Sequence, residues 1–113
     1  MIRGMSTPRP DRSTRPLTAY AERVLDLVES IPPGAVLTYG DVAGLLDEAG
    51  PRQVGRVMAL WGGAVPWWRV VRASGEPALG HEREALRRLR DEGTPLVPEG
   101  RRVDLRRGRW TRP

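Results

Sequence analysis

Proline and glycine cut this chain into short pieces, and that punctuation limits what it can fold into. Pro32-Pro33-Gly34, Ala49-Gly50-Pro51 and Gly62-Gly63 each interrupt an apolar pattern of helical period. Proline cannot continue a helix, and glycine ends one cheaply. Any long helix is therefore excluded, and short helices joined by tight turns are what remains.

The first piece has Leu17, Tyr20, Ala21, Val24, Leu25, Val28 and Ile31 on one helical face. Thr18 is placed to cap it, and Pro32-Pro33-Gly34 ends it. Ala35-Val36-Leu37 reads as a short extended link. Thr38 then opens a second helix, with Asp41 completing a Thr-x-x-Asp capping box. Its inward face is predicted to be Val42, Ala43, Leu45 and Leu46. Pro51 suits a first helical position, so a third helix runs from it to Trp61. Two short helices around a glycine-containing turn make a helix-turn-helix.

Beyond Gly62-Gly63, Val65 to Ala73 mixes apolar bulk with Arg and reads as extended. Ser74-Gly75-Glu76-Pro77 is a turn. His81 to Glu92 reads as a charged helix, with Ala85, Leu86 and Leu89 inward and Arg83, Arg87, Arg88 and Arg90 mostly outward. Val97 to Trp110 reads as a short hairpin or wing studded with Arg. The expected fold is mainly α: a winged-helix-like domain with a helix-turn-helix and a small β element. Residues 1–16 are rich in Pro, Arg, Ser and Thr and read as a disordered basic tail, leaving 17–113 as one domain.

Composition narrows the chemistry. The 113 residues include no Cys, which removes disulfides, thiolate metal sites and thiol catalysis. One His makes a His-based metal site a poor expectation, and no cofactor is expected. No apolar run approaches the roughly 18 residues of a membrane span, and Met1-Ile2-Arg3-Gly4 does not resemble a secretory signal. A cytoplasmic monomer is the expectation. The net charge is +5 and all nineteen cations are Arg. Arg forks onto phosphates and stacks on bases, so the charge points first to nucleic acid.

Four motifs follow in order. Ile31-Pro32-Pro33-Gly34 precedes Thr38-Tyr39-Gly40-Asp41-Val42-Ala43. Arg52-x-Val54-Gly55-x-x-Met58 follows, then Pro66-Trp67-Trp68-Arg69-Val70-Val71 with Ser74-Gly75, and finally Asp91-Glu92-Gly93. Together they resemble the DNA O6-alkylguanine alkyltransferases, whose active-site signature is Pro-Cys-His-Arg-Val. Trp67 stands in the Cys position and Trp68 in the His position. Indole nitrogen donates a hydrogen bond but is neither a nucleophile nor a useful base. A Trp in the Cys position is similar to the alkyltransferase-like proteins, which bind alkylated guanine without repairing it.

The resemblance implies the fold of the transferases' C-terminal domain and a partner, duplex DNA containing O6-alkylguanine, approached through the minor groove. It also implies hand-over of the lesion to nucleotide-excision repair proteins. By the same resemblance Arg52 is the finger that fills the stack when the base flips, and Tyr39 pushes the neighbouring phosphate. Gly55 lets the helix approach closely, and Val65, Pro66, Trp67 and Ser74 line the lesion pocket; Arg56, one turn after Arg52, is placed by its position to touch a phosphate. Each has a plainer alternative: a solvated charge for Arg52 and Arg56, and core packing for Tyr39 and Trp67. For Trp68, core packing is the expected role, and Glu92 is expected to order a helix end. The rival reading is a winged-helix transcription regulator that reads sequence through the major groove.

Overall fold

The computed structural model describes residues 18–111. The basic tail over 1–16 and Leu17 lie outside them.

Five helices and two short strands follow one another: α1 (Ala19–Ser30), β1 (Leu37–Thr38), α2 (Tyr39–Leu46), α3 (Pro51–Trp61), β2 (Val70–Val71), α4 (Glu82–Asp91) and α5 (Leu105–Gly108). Two 3₁₀ turns, Gly62–Ala64 and Trp67–Arg69, lie between α3 and β2. The starts of the helices obey the capping rules. Thr18 Oγ1 accepts from the Ala21 N–H at 2.9 Å. The box at α2 is closed in both directions: Asp41 N–H donates to Thr38 Oγ1 and Thr38 N–H donates to Asp41 Oδ2, each at 2.9 Å. Pro51 opens α3, whose first turn is tied down by Gln53 Oε1 accepting from the Gly50 N–H.

β1 and β2 pair in parallel, Leu37 opposite Val70 and Thr38 opposite Val71. Side chains alternate across a strand, and the alternation divides the core. Leu37 and Val70 face Ile31, just past the end of α1, and Val24, Val28, Val42, Val54 and Val57 on α1, α2 and α3. Val36 and Val71 face Leu89 of α4 and Val103. The chain's end joins the same sheet: Val36 N–H donates to Gly108 O at 2.9 Å, and Trp110 N–H donates to Val36 O at 2.8 Å. The two-stranded strip thus carries the helix-turn-helix on one face and α4 on the other.

Three expectations change. Val65 to Ala73 is not extended throughout, because Trp67–Arg69 forms a 3₁₀ turn and only Val70–Val71 is strand. Pro66 sets the bend with φ −73°, and Arg69 N–H closes it on Pro66 O at 3.0 Å. The final segment is a hairpin only over 96–103, closed by a single antiparallel bridge between Leu96 and Val103. Asp104 then caps α5, accepting from the Arg106 N–H. Leu45 is 52% exposed rather than buried. It lies two residues past Ala43, which at 100° per residue turns it to the opposite side of α2.

Gly75 anchors the loop after β2. Its φ is +93°, and a Cβ there would lie 2.5 Å from Val103 O. Its own carbonyl accepts from the Val103 N–H at 2.9 Å. Only glycine fits both the conformation and the contact. Among the described residues no helix is long and apolar enough to cross a membrane.

Candidate nucleic-acid interface

An open cleft of about 890 Å³ lies beside α3. That is within the roughly 300–1,000 Å³ typical of sites for small organic groups. Several elements build it. α3 contributes Gly55, Met58 and Trp61; the two 3₁₀ turns contribute Gly63, Ala64 and Trp67; the loop before α4 contributes Ala78, Leu79 and His81. Tyr39, first residue of α2, also lines it. The walls are mostly apolar, and Leu79 is 70% exposed at the rim.

Trp67 sits in this cleft because the 3₁₀ turn separates it from its neighbour. Its ring meets His81 at 5.6 Å between centroids, inclined by 61°, and Trp68 edge-on at 5.7 Å and 86°. Edge-to-face packing of this kind holds an aromatic ring in one orientation.

Trp68 turns instead toward α4. Its indole N–H donates to Glu92 Oε2 at 2.9 Å. Arg69 donates to both oxygens of the same carboxylate, at 3.0 and 2.6 Å, and to Ile31 O at 2.8 Å. The Arg88 guanidinium lies over the Trp68 ring, 4.4 Å from its centroid. This network joins the ends of α1 and α4 to the turn that carries Trp67. Burial pushes the Glu92 carboxyl up. The hydrogen bonds from Arg69 and Trp68, the Arg69 charge and the Gly34 backbone outweigh it and hold the group below its ordinary value. Glu92 is therefore a fixed anion at neutral pH.

The Tyr39 phenol is pushed up by burial, with the charge of Arg72 partly opposing. It stays protonated at neutral pH and keeps an O–H to donate.

The structure brings some of the sequence-predicted residues together and separates others. Tyr39, Gly55 and Trp67 share the cleft. Arg52 and Arg56 are exposed on the outer face of α3, and among the described residues neither guanidinium is paired. Val65 packs against the helix-turn-helix core and Pro66 is buried, and neither is among the residues lining the cleft. Ser74 is exposed in its turn, where its hydroxyl donates to Glu76 Oε1 at 2.8 Å and accepts from the Glu76 N–H. It does not line the cleft. Sequence reasoning missed Met58, Trp61, Leu79 and His81 as wall residues.

A helix-turn-helix whose second helix flanks an apolar cleft, with an indole at the transferase signature position, defines a DNA-binding domain of the alkyltransferase type. The chain belongs to the family described as 6-O-methylguanine DNA methyltransferase, DNA binding domain, which it matches over residues 19–94. It is 39% identical over 100 residues to the DNA base-flipping protein of Escherichia coli strain K12, covering 81% of this chain and 74% of that protein. To the DNA base-flipping protein of Vibrio parahaemolyticus it is 30% identical over 96 residues, covering 80% of this chain and 95% of that one.

Among solved structures it is similar to S. pombe Atl1 in complex with damaged DNA containing O6-carboxymethylguanine. The TM-score is 0.71 with 29% identity, over 82% of this chain and 95% of that one. The crystal structure of a Mycobacterium tuberculosis OGT variant matches with a TM-score of 0.58 and 26% identity, over 74% of this chain and 55% of that one.

Proposed function

We propose that this chain is a non-enzymatic sensor of O6-alkylguanine in duplex DNA. α3 enters the minor groove, the damaged nucleotide is flipped into the cleft, and the base is held beside Trp67. The protein then stays bound and marks the lesion for nucleotide-excision repair. The observation that carries this reading is the position of Trp67 in an apolar cleft shared with Tyr39 and Gly55. Similarity to proteins named for base flipping, and to Atl1 bound to alkylated DNA, supports it.

Each part of the cleft has a physical task. Flipping costs a few kcal/mol of stacking and pairing. Trp67 returns part of that by stacking or apolar contact, about 1–3 kcal/mol per base. Met58, Ala64 and Leu79 offer an alkyl group neighbours that a bare guanine cannot use fully. Arg52 on the exposed face of α3 stacks where the base has left. The Tyr39 hydroxyl donates to the adjacent phosphate. Transfer of the alkyl group needs a nucleophile, and the chain has no Cys. A major-groove reader of sequence has no use for such a cleft. Its helix would also need more base-reading side chains than Arg52 and Arg56, since Gln53 is engaged at its own helix start.

Two measurements test the proposal. The protein binds a duplex with one O6-methylguanine more tightly than the matched undamaged duplex, and its intact mass is unchanged after incubation with that DNA. Equal affinity for the two duplexes overturns the sensor reading. A stoichiometric gain of one methyl group overturns the non-enzymatic one.

A further inference from the structure

A second groove, of about 670 Å³, lies behind the loop that walls the cleft. It gathers Arg72 after β2, Arg83 and Arg90 on α4, and Arg101 from the turn of the final hairpin, with Glu76 and Glu82 beside them. Four guanidiniums from three separate segments converge on it. Two are already engaged: Arg72 Nε donates to Pro77 O at 2.9 Å, and Arg90 Nη2 donates to Gly100 O at 3.1 Å. Glu76 is occupied as well, by Ser74 and by Arg72. Arg83 and Arg101 are exposed, and among the described residues their guanidiniums have no hydrogen bond or ion pair. The formal charge of the lining is +2, four Arg against two Glu.

We propose that this groove holds backbone phosphates of the DNA that flanks the flipped nucleotide, with Arg83 and Arg101 as the two phosphate forks.

The placement supports a phosphodiester over other anions. The loop over 76–81 separates the two sites: Pro77 faces the groove while Ala78, Leu79 and His81 face the cleft. Arg72, in the groove, is also close enough for its charge to act on the Tyr39 hydroxyl, in the cleft. On this proposal the strand whose nucleotide enters the cleft continues past the 76–81 loop to Arg72 and the groove. Guanidinium forks match phosphate oxygens two at a time. Contacts of this kind add affinity and carry no information about the base. The inference rests on the proposed sensor function for its ligand, but its signature is separate from lesion preference.

The test uses the full chain and fluorescein-labelled duplexes, with and without O6-methylguanine, read by anisotropy across a salt series. The Arg83→Ala/Arg101→Ala double variant is compared with Arg87→Ala, a control on α4 whose guanidinium pairs with Glu84 and Asp91 outside the groove. The double variant should make the plot of log K against log salt shallower by about 1.8, which is two phosphate contacts at about 0.9 each. Affinity should fall by the same factor for damaged and undamaged duplex, so their ratio is kept. Arg87→Ala should leave the slope as in wild type. An unchanged slope in the double variant overturns the proposal, as does an equal change in Arg87→Ala, which would mean diffuse charge. A wild type without lesion preference would sink the sensor reading alone, because the slope comparison on undamaged duplex still decides the groove.

Discussion

The indole N–H of Trp68 donates to Glu92 Oε2 at 2.9 Å, across 24 residues of chain. The same indole edge-packs Trp67 and lies beneath Arg88. Trp68 therefore holds the ring that faces the cleft. Trp68→Phe removes the donor together with the pyrrole half of the indole, so lost packing adds to the lost hydrogen bond. It should cost at least about 1.5 kcal/mol, the low end for a hydrogen bond to a charged partner, because Arg69 still satisfies Glu92 and the lost ring atoms add to the cost. Urea unfolding of the two proteins measures it. An unchanged midpoint would mean that the bond contributes nothing to the fold.

Glu92 also predicts a pH dependence. Its folded value is lowered, so the stabilisation is fully present above the ordinary carboxyl value, near about 4.3 for Glu. It is lost as pH falls through the lowered value of the folded state. The stability difference between wild type and Glu92→Gln should therefore be constant from neutral pH down to that ordinary value and shrink below it. A difference that instead grows on acidification would contradict the charge network around Arg69.

Gly55 separates fold from function by sign. A Cβ built there meets no atom within 4 Å, and the residue lies inside α3 on the cleft wall. Gly55→Ala should stabilise the free protein by about 0.8–1 kcal/mol, the helix-propensity difference. Gly55→Leu should also fold, yet weaken DNA binding by blocking the approach of α3. Thermal melts and anisotropy give the two numbers. Normal DNA affinity in Gly55→Leu would move the DNA away from this face of the helix.

Arg52 makes a similar division. It lies in the first turn of α3, where the helix dipole disfavours a cation. Arg52→Ala should leave the melting temperature unchanged or slightly raised while weakening lesion binding by about 1–3 kcal/mol. Arg52→Lys should recover only part, because an ammonium cannot stack as a plane. Full binding by Arg52→Ala would leave the side chain as a solvated charge.

The helix-turn-helix was legible because its signals are local. Thr38 and Asp41 lie three residues apart, and Pro51 marks its own position; both act through backbone that they adjoin. The cleft was legible only where a motif named its residue, as at Tyr39, Gly55 and Trp67. Leu79 and His81 reach it through a loop whose path depends on Gly75 seating against Val103, a contact across 28 positions that no periodicity encodes. Trp68 read as core for the same reason: nothing local announces that Glu92 will return beside it. The bend at Trp67 was hidden by composition, since Trp and Val favour strands when no other constraint acts.

The most direct test of the central claim is the ratio of affinities for damaged and undamaged duplex in Trp67→Ala. On the proposed reading, contacts of Arg52 and Arg56 with DNA do not depend on the indole, whereas the neighbours of the alkyl group do. Trp67→Ala should therefore lose far more affinity for the O6-methylguanine duplex than for the matched undamaged one, and the ratio should fall toward one. A ratio equal to that of wild type would make Trp67 a packing residue and contradict the account.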